Sequence, residues 1–137
     1  IFFRENYGFD DALFASLKLI EILSHSEFAL SEMFDKIPKS FNTPEIRIDC
    51  DDSSKFKLIE KISIRQRELK KNITDIDGLR VSNSSGWWLL RASNTQPCVV
   101  LRCEADSKKA LINQINELKL AIQEFSPEIA RKINVEN

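Results

Sequence analysis

Residues 91–97 place Arg91, Ser93, Asn94 and Thr95 close together and close the run with Pro97. A guanidinium brings charge and a planar fork of N–H donors, two hydroxyls and a carboxamide bring more donors, and a tight turn presents main-chain N–H groups. Together these are the means of holding a phosphate. Arg102, on the segment that returns from the turn, can add a second cation. Pro97 ends the turn and fixes the direction in which the chain leaves it. The same residues are also ordinary turn-formers joining two strands, with both arginines simply exposed on a sheet, and spacing alone does not separate the two readings.

Other chemistries find less support. Cys50, Cys98 and Cys103 are an odd set without paired spacing, and the lone His25 cannot complete a zinc site with them. They read as three reduced thiols, as in a cytoplasmic compartment. Cys103 alternates with Val99 and Leu101, which marks a small buried hydrophobe rather than a nucleophile. His25, at the end of a helix, reads as a terminus cap. The formal net charge of −1 supplies no global field for a polyanion, so any anion site has to come from local geometry. A nucleic-acid module is the rival, since an antiparallel sheet with helices on one face also describes such domains. The low charge and the lack of an aromatic pair spaced for base stacking count against it. No apolar run reaches the roughly 20 residues that cross a bilayer, and residues 1–10 are charged where a signal peptide is apolar, so no membrane partner is expected. The opening Ile1-Phe2-Phe3 reads as a strand entered halfway, the expectation for an excised piece.

The elements that must position the loop follow from periodicity. With 42% hydrophobic and 30% charged residues and only 3 Gly and 4 Pro, the chain has the composition of a folded domain. Asp10-Asp11 caps a helix whose apolar stripe is Leu13, Leu17, Ile20 and Leu23, and a shorter helix over 31–37 follows. Pro38 and the polar run after it read as a linker over 38–43. Residues 45–50 alternate as a half-buried strand. Asp52 or Ser53 caps a helix with Phe56, Ile59, Ile62 and Leu69 inward, and Lys55, Lys57, Lys61, Arg65 and Arg67 in water. Strands over 73–76 and 79–81 flank Asp77-Gly78, a tight-hairpin turn signal. Strands over 87–92 and 98–104 flank the phosphate-type loop, with Trp87 and Trp88 pointing to opposite faces. A last helix over 107–125 carries the stripe Leu111, Ile115, Leu118, Ile122 and Phe125, and residues 127–137 read as a tail. The order, written β-α-β-β-β-α, predicts an α+β fold: an antiparallel sheet with two helices on one face.

The run Asp77-Gly78-Leu79-Arg80-Val81, then residues 86–97, then Val100-Leu101-Arg102-Cys103-Glu104-Ala105 resembles the C-terminal domain of the α-D-phosphohexomutases, in the phosphomannomutase/phosphoglucomutase group. Thr43-Pro44-Glu45-Ile46 resembles the entry to that domain, and Phe2-Phe3-Arg4-Glu5 with Gly8-Phe9-Asp10-Asp11 resembles the end of the domain before it. The resemblance implies a TATA-box-binding-protein-like sheet over 44–126, preceded by the remnant of a sugar-binding domain over 1–37. It assigns phosphate contact to Arg91, Ser93, Asn94 and Thr95, with Arg102 an addition. Gln96 stands where the family often carries an acidic residue or Thr, a departure expected to matter little. The resemblance also implies a parent enzyme that moves a phosphoryl group between the 1- and 6-positions of mannose or glucose phosphate through a phosphoserine and Mg2+. The family's phosphoserine, magnesium and sugar-contacting loops have no counterpart here. The chain is therefore expected to clamp the phosphate that is not reacting, to be inactive alone, and to have hexose phosphate and the parent's other domains as partners.

Overall fold

The computed structural model describes residues 1–133 and divides the chain into two compact units, Ile1–Pro38 and Lys39 onward. In the first, a 3-10 turn over Arg4–Asn6 precedes α1 (Ala12–Ser24) and α2 (Leu30–Asp35). Asp11 caps α1 by accepting the Phe14 N–H at 2.9 Å, and those hydrogen bonds draw its carboxyl below the usual carboxylate range. The expected stripe is present but uncovered: Leu13, Leu17 and Ile20 are exposed, and neither helix buries a residue.

The second unit contains β1 (Phe41–Asn42), β2 (Ile46–Asp49), α3 (Lys55–Glu68), β3 (Asn72–Thr74), β4 (Leu79–Asn83), β5 (Gly86–Ala92), β6 (Cys98–Ala105), α4 (Lys108–Gln123) and α5 (Pro127–Lys132). The antiparallel α+β class is as expected. The string β-α-β-β-β-α is one strand short between the helices, where β3 to β6 make four, and it also lacks β1 and α5. The sheet order is β1-β6-β5-β4-β3, with β2 also on β6. β1 and β2 share the outer edge of β6 end to end, with Pro44, which has no N–H for the ladder, at the break between them. Thr43 bridges that break: its N–H donates to the Cys103 carbonyl and its hydroxyl accepts the Cys103 N–H, both at 3.0 Å. The expected linker over 38–43 therefore ends early, because Phe41–Asn42 form a strand of the sheet and Thr43 is hydrogen-bonded to it.

Register fixes which side chains share a face. Val81, Trp88 and Cys103 lie in one cross-strand row, and Leu79, Leu90 and Leu101 in the next. Five of these six are apolar residues that α3 and α4 cover, and Cys103 joins their cluster with Ile62, Leu118 and Ile122. The two Trp residues do diverge: Trp88 is sealed in this core and Trp87 is half-buried on the other face.

Three local expectations are corrected. Along α3, Ile59 and Ile62 are buried as expected, but Lys55, Leu58, Ser63 and Gln66 complete the inward face, while Phe56 and Leu69 are exposed. Residues 75–78 make a longer turn between β3 and β4 than a two-residue hairpin. Gly78 has φ +90°, and a Cβ there would meet the Leu90 carbonyl oxygen at 2.6 Å, so only glycine lets this turn press onto β5. Residues 127–133 are not a loose tail: Pro127 starts α5, and Ile129, Ala130 and Ile133 are buried. The remainder of the expected tail, 134–137, lies outside the described residues. No helix among the described residues is long and apolar enough to cross a membrane.

Candidate anion-binding site

The face of the sheet opposite the helices is polar. Alternation along β5 turns Trp87, Leu89 and Arg91 to it, and their partners on β6 are Glu104, Arg102 and Val100. Arg91 and Arg102 are thus diagonal neighbours on adjacent strands, within reach of one group lying between them. Arg47 on β2 lies across Val100 from Arg91, and Arg80 on β4 lies across Leu89 from Arg102. Val100, between Arg47 and Arg91 in this row, is buried. The Arg80 guanidinium stacks over Trp87 at 4.4 Å.

The loop between β5 and β6 is tied at its base. The Ser93 N–H donates to the Cys98 carbonyl at 3.0 Å, the Cys98 N–H to the Gln96 carbonyl at 2.8 Å, and the Cys50 N–H to the Pro97 carbonyl at 2.9 Å. The Ser93 hydroxyl is largely buried and accepts the Gln96 N–H at 3.2 Å, which leaves its own proton to donate. Asn94 and Thr95 are exposed at the tip. Four of the five expected residues stand in two groups, with Thr95 exposed beyond both. Arg91, Arg102 and the base of the loop at Ser93 share the polar face, whereas Asn94 also borders a cleft of ≈ 350 Å³ on the helix side with Glu60, Asp75, Asp77 and Arg67. Three carboxylates make that cleft a poor host for an anion.

Arg91 has a partner that periodicity did not reveal. Its Nη1 lies 3.3 Å from the Asp77 carboxylate, brought there by the turn that Gly78 allows. Both side chains are well exposed, so the pair contributes at most about 1 kcal/mol and leaves other guanidinium N–H groups for an anion. Two further residues were missed. Arg47 donates to the Gln96 side-chain oxygen at 2.6 Å, so Gln96 is engaged where little consequence was expected. Lys55, expected in water, is buried, and its ammonium donates to the Gln96 main-chain carbonyl at 2.8 Å. No sequence signal marked either one.

The cysteines are free thiols; Cys98 and Cys103 are buried and Cys50 half-buried. Burial pushes the Cys103 thiol up to about 12 and also raises Cys50. Both shifts favour the inert thiol over the thiolate. Among the described residues no three His, Cys, Asp or Glu side chains gather to hold a metal ion.

A small antiparallel sheet with two helices on one face, arginines on the other and a polar loop at its end places this chain among the domains that the phosphosugar mutases carry at their C-terminus. Residues 45–121 match the family described as phosphoglucomutase/phosphomannomutase, C-terminal domain, and the chain belongs to that family. It is 40% identical over 130 residues to the phosphomannomutase/phosphoglucomutase of Pseudomonas putida, a match covering 94% of this chain and 28% of that protein. It is 42% identical over 126 residues to the phosphoglucomutase of Neisseria gonorrhoeae, covering 90% of this chain and 27% of that one. A crystal structure of a phosphoglucomutase/phosphomannomutase family protein from Burkholderia thailandensis superposes with a TM-score of 0.75 at 35% identity, over 90% of this chain and 26% of that one. The chain therefore spans about a quarter of the length of the curated relatives it matches.

Proposed function

We propose that this chain is the phosphate-gripping part of a phosphomannomutase/phosphoglucomutase that interconverts hexose 1- and 6-phosphates, and that it holds the phosphate that is not reacting. The observation that carries this reading is the diagonal placement of Arg91 and Arg102 on the polar face, at the foot of a loop whose base is tied by main-chain hydrogen bonds. Two guanidiniums supply charge and forked donors, the Ser93 hydroxyl has a proton to give, and Asn94 and Thr95 stand at the exposed tip. Such a set recognises phosphate rather than a particular sugar, which suits a grip that must accept either end of a bis-phosphorylated hexose. Binding energy from the remote phosphate would orient the sugar for a transfer performed by residues of the parent's other domains. Mg2+ would serve that transfer elsewhere, and this chain alone would turn over no substrate. With no built-in polyanion field, nucleic acid is not an expected ligand.

An amide chemical-shift titration with glucose 1-phosphate tests the reading. Shifts should centre on residues 91–95 and on Arg102. Arg91→Ala should weaken binding by roughly 1.5–3 kcal/mol, the range for hydrogen bonds to a charged group, with the unfolding midpoint little changed. Shifts centred on the cleft beside α3, or wild-type affinity in Arg91→Ala, would discard the assignment.

A further inference from the structure

Lys55 stands where a lysine is hard to accommodate. It is the first residue of α3, the end at which the helix dipole disfavours a cation, and its side chain is only 1% exposed. Burying an ammonium costs several kcal/mol unless it is paired and hydrogen-bonded. Two acceptors meet that need: the Asp52 carboxylate, which belongs to the turn leading into α3, and the Gln96 carbonyl, 41 positions away in the loop. The Phe56 ring lies 5.2 Å from the ammonium.

The Gln96 carbonyl is the hinge pin of the loop. It accepts the Cys98 N–H at 2.8 Å from one side and the Lys55 ammonium at 2.8 Å from the other, while the Gln96 N–H rests on the Ser93 hydroxyl. Arg47 holds the same residue by its side chain, but that contact is exposed. Lys55 is the buried anchor. Without it the Gln96 carbonyl would keep only the Cys98 N–H, and the turn that sets the Ser93 hydroxyl and the tip amides would be freer to open.

We propose that Lys55 is a positioning residue of the phosphate-binding loop: its buried ammonium, held by Asp52, fixes the Gln96 carbonyl and thereby the turn from which the donors at 93–95 meet the anion. This inference rests on the phosphate-site reading above and deepens it. The test uses the 137-residue chain and inorganic phosphate, with affinity and unfolding midpoint measured for Lys55→Met, Lys55→Arg and Arg91→Ala. Lys55→Met keeps most of the side-chain volume and removes the charge and both bonds. It should weaken phosphate at least tenfold and speed amide exchange at residues 94–96, while exchange in β4 and β5 stays slow. Lys55→Arg, which can still reach the Gln96 carbonyl, should recover part of the affinity. Phosphate affinity within twofold of wild type in Lys55→Met, with binding lost in Arg91→Ala, would overturn the role of Lys55 and leave the phosphate site standing. Undiminished binding in Arg91→Ala would instead overturn the phosphate site and this inference with it. Should Lys55→Met fail to fold, the side-chain ammonium resonance of Lys55 in the wild-type chain decides. Phosphate should displace it together with the loop amides, and a stationary resonance while those amides move refutes the proposal.

Discussion

The two faces of the sheet are built from the same strands and do opposite things. On the helix side, Leu79, Leu90 and Leu101 form a fully buried row. One residue along each strand, the row Arg80, Leu89 and Arg102 faces away from both helices. Because side chains alternate, β5 commits Trp88, Leu90 and Ala92 to the core and leaves Trp87, Leu89 and Arg91 on the other face, whereas β6 also buries Val100 on that outer face. The packed face tolerates little and can do little chemistry. The polar face keeps its arginines open to solvent, which is what the proposed anion grip requires.

Adjacent leucines give the largest test of that contrast. Leu90 is fully buried and Leu89 half-buried, with the same side chain on the same strand. Leu90→Ala should cost about 2–5 kcal/mol in urea unfolding, the range for a leucine truncated in a packed core. Leu89→Ala should cost under about 1 kcal/mol, since less area returns to water and no closed cavity forms. Equal losses would mean that the polar face is structural, and the division of labour would fail.

A second difference should appear in alkali. The Cys103 thiol sits on the packed face with its ionisation pushed from 9.0 up to about 12 by burial. The unfolded chain then loses this proton first, so above pH 9 the folded state binds more protons than the unfolded one, and stability falls as pH rises toward 12. The slope attributable to this thiol rises from about 0.7 kcal/mol per pH unit at pH 9 toward a limit of about 1.4 above pH 10. Unfolding free energies between pH 9 and 10.5 should show the decline, and Cys103→Ala should flatten it. An unchanged slope in that variant would place the alkaline sensitivity elsewhere.

How legible these faces were in the sequence depends on how local their causes are. Alternation in β5 and β6 announced the opposite aims of Trp87 and Trp88, and periodicity announced α1 and α4, because each signal lies within one element. The antiparallel sheet with two helices on one face followed from the order of such signals. What stayed hidden was set by partners distant in sequence. Lys55 sits among Lys57 and Lys61 and reads as one more solvated charge; only the Gln96 carbonyl, supplied by another hairpin, gives it a buried place. Thr43 looks like linker until its bonds to Cys103 are known. α5 is too short for periodicity to mark, and it is the burial of Ile129 and Ile133 that holds it. The candidate loop itself could be read from residue types, but not the split that sets Arg91 and Arg102 on one face and brings Asn94 to the rim of an acidic cleft.

The smallest effect concerns the carboxylate beside the arginines. Asp77 reaches Arg91 at 3.3 Å with both side chains exposed, so removing its charge should change stability by less than about 0.5 kcal/mol. Its effect on a ligand should be larger than its effect on the fold. A phosphate approaching Arg91 competes with this carboxylate for the same N–H groups and is repelled by its charge. Asp77→Asn should therefore tighten inorganic phosphate roughly two- to fivefold at low salt, with the gain shrinking as salt screens the exposed charges. Calorimetric titration at two ionic strengths measures both quantities. Weaker binding in Asp77→Asn would mean that the carboxylate holds Arg91 in its receptive orientation. In that case the polar face would carry a preset geometry of its own, and the contrast with the packed face would be one of solvent access rather than of order.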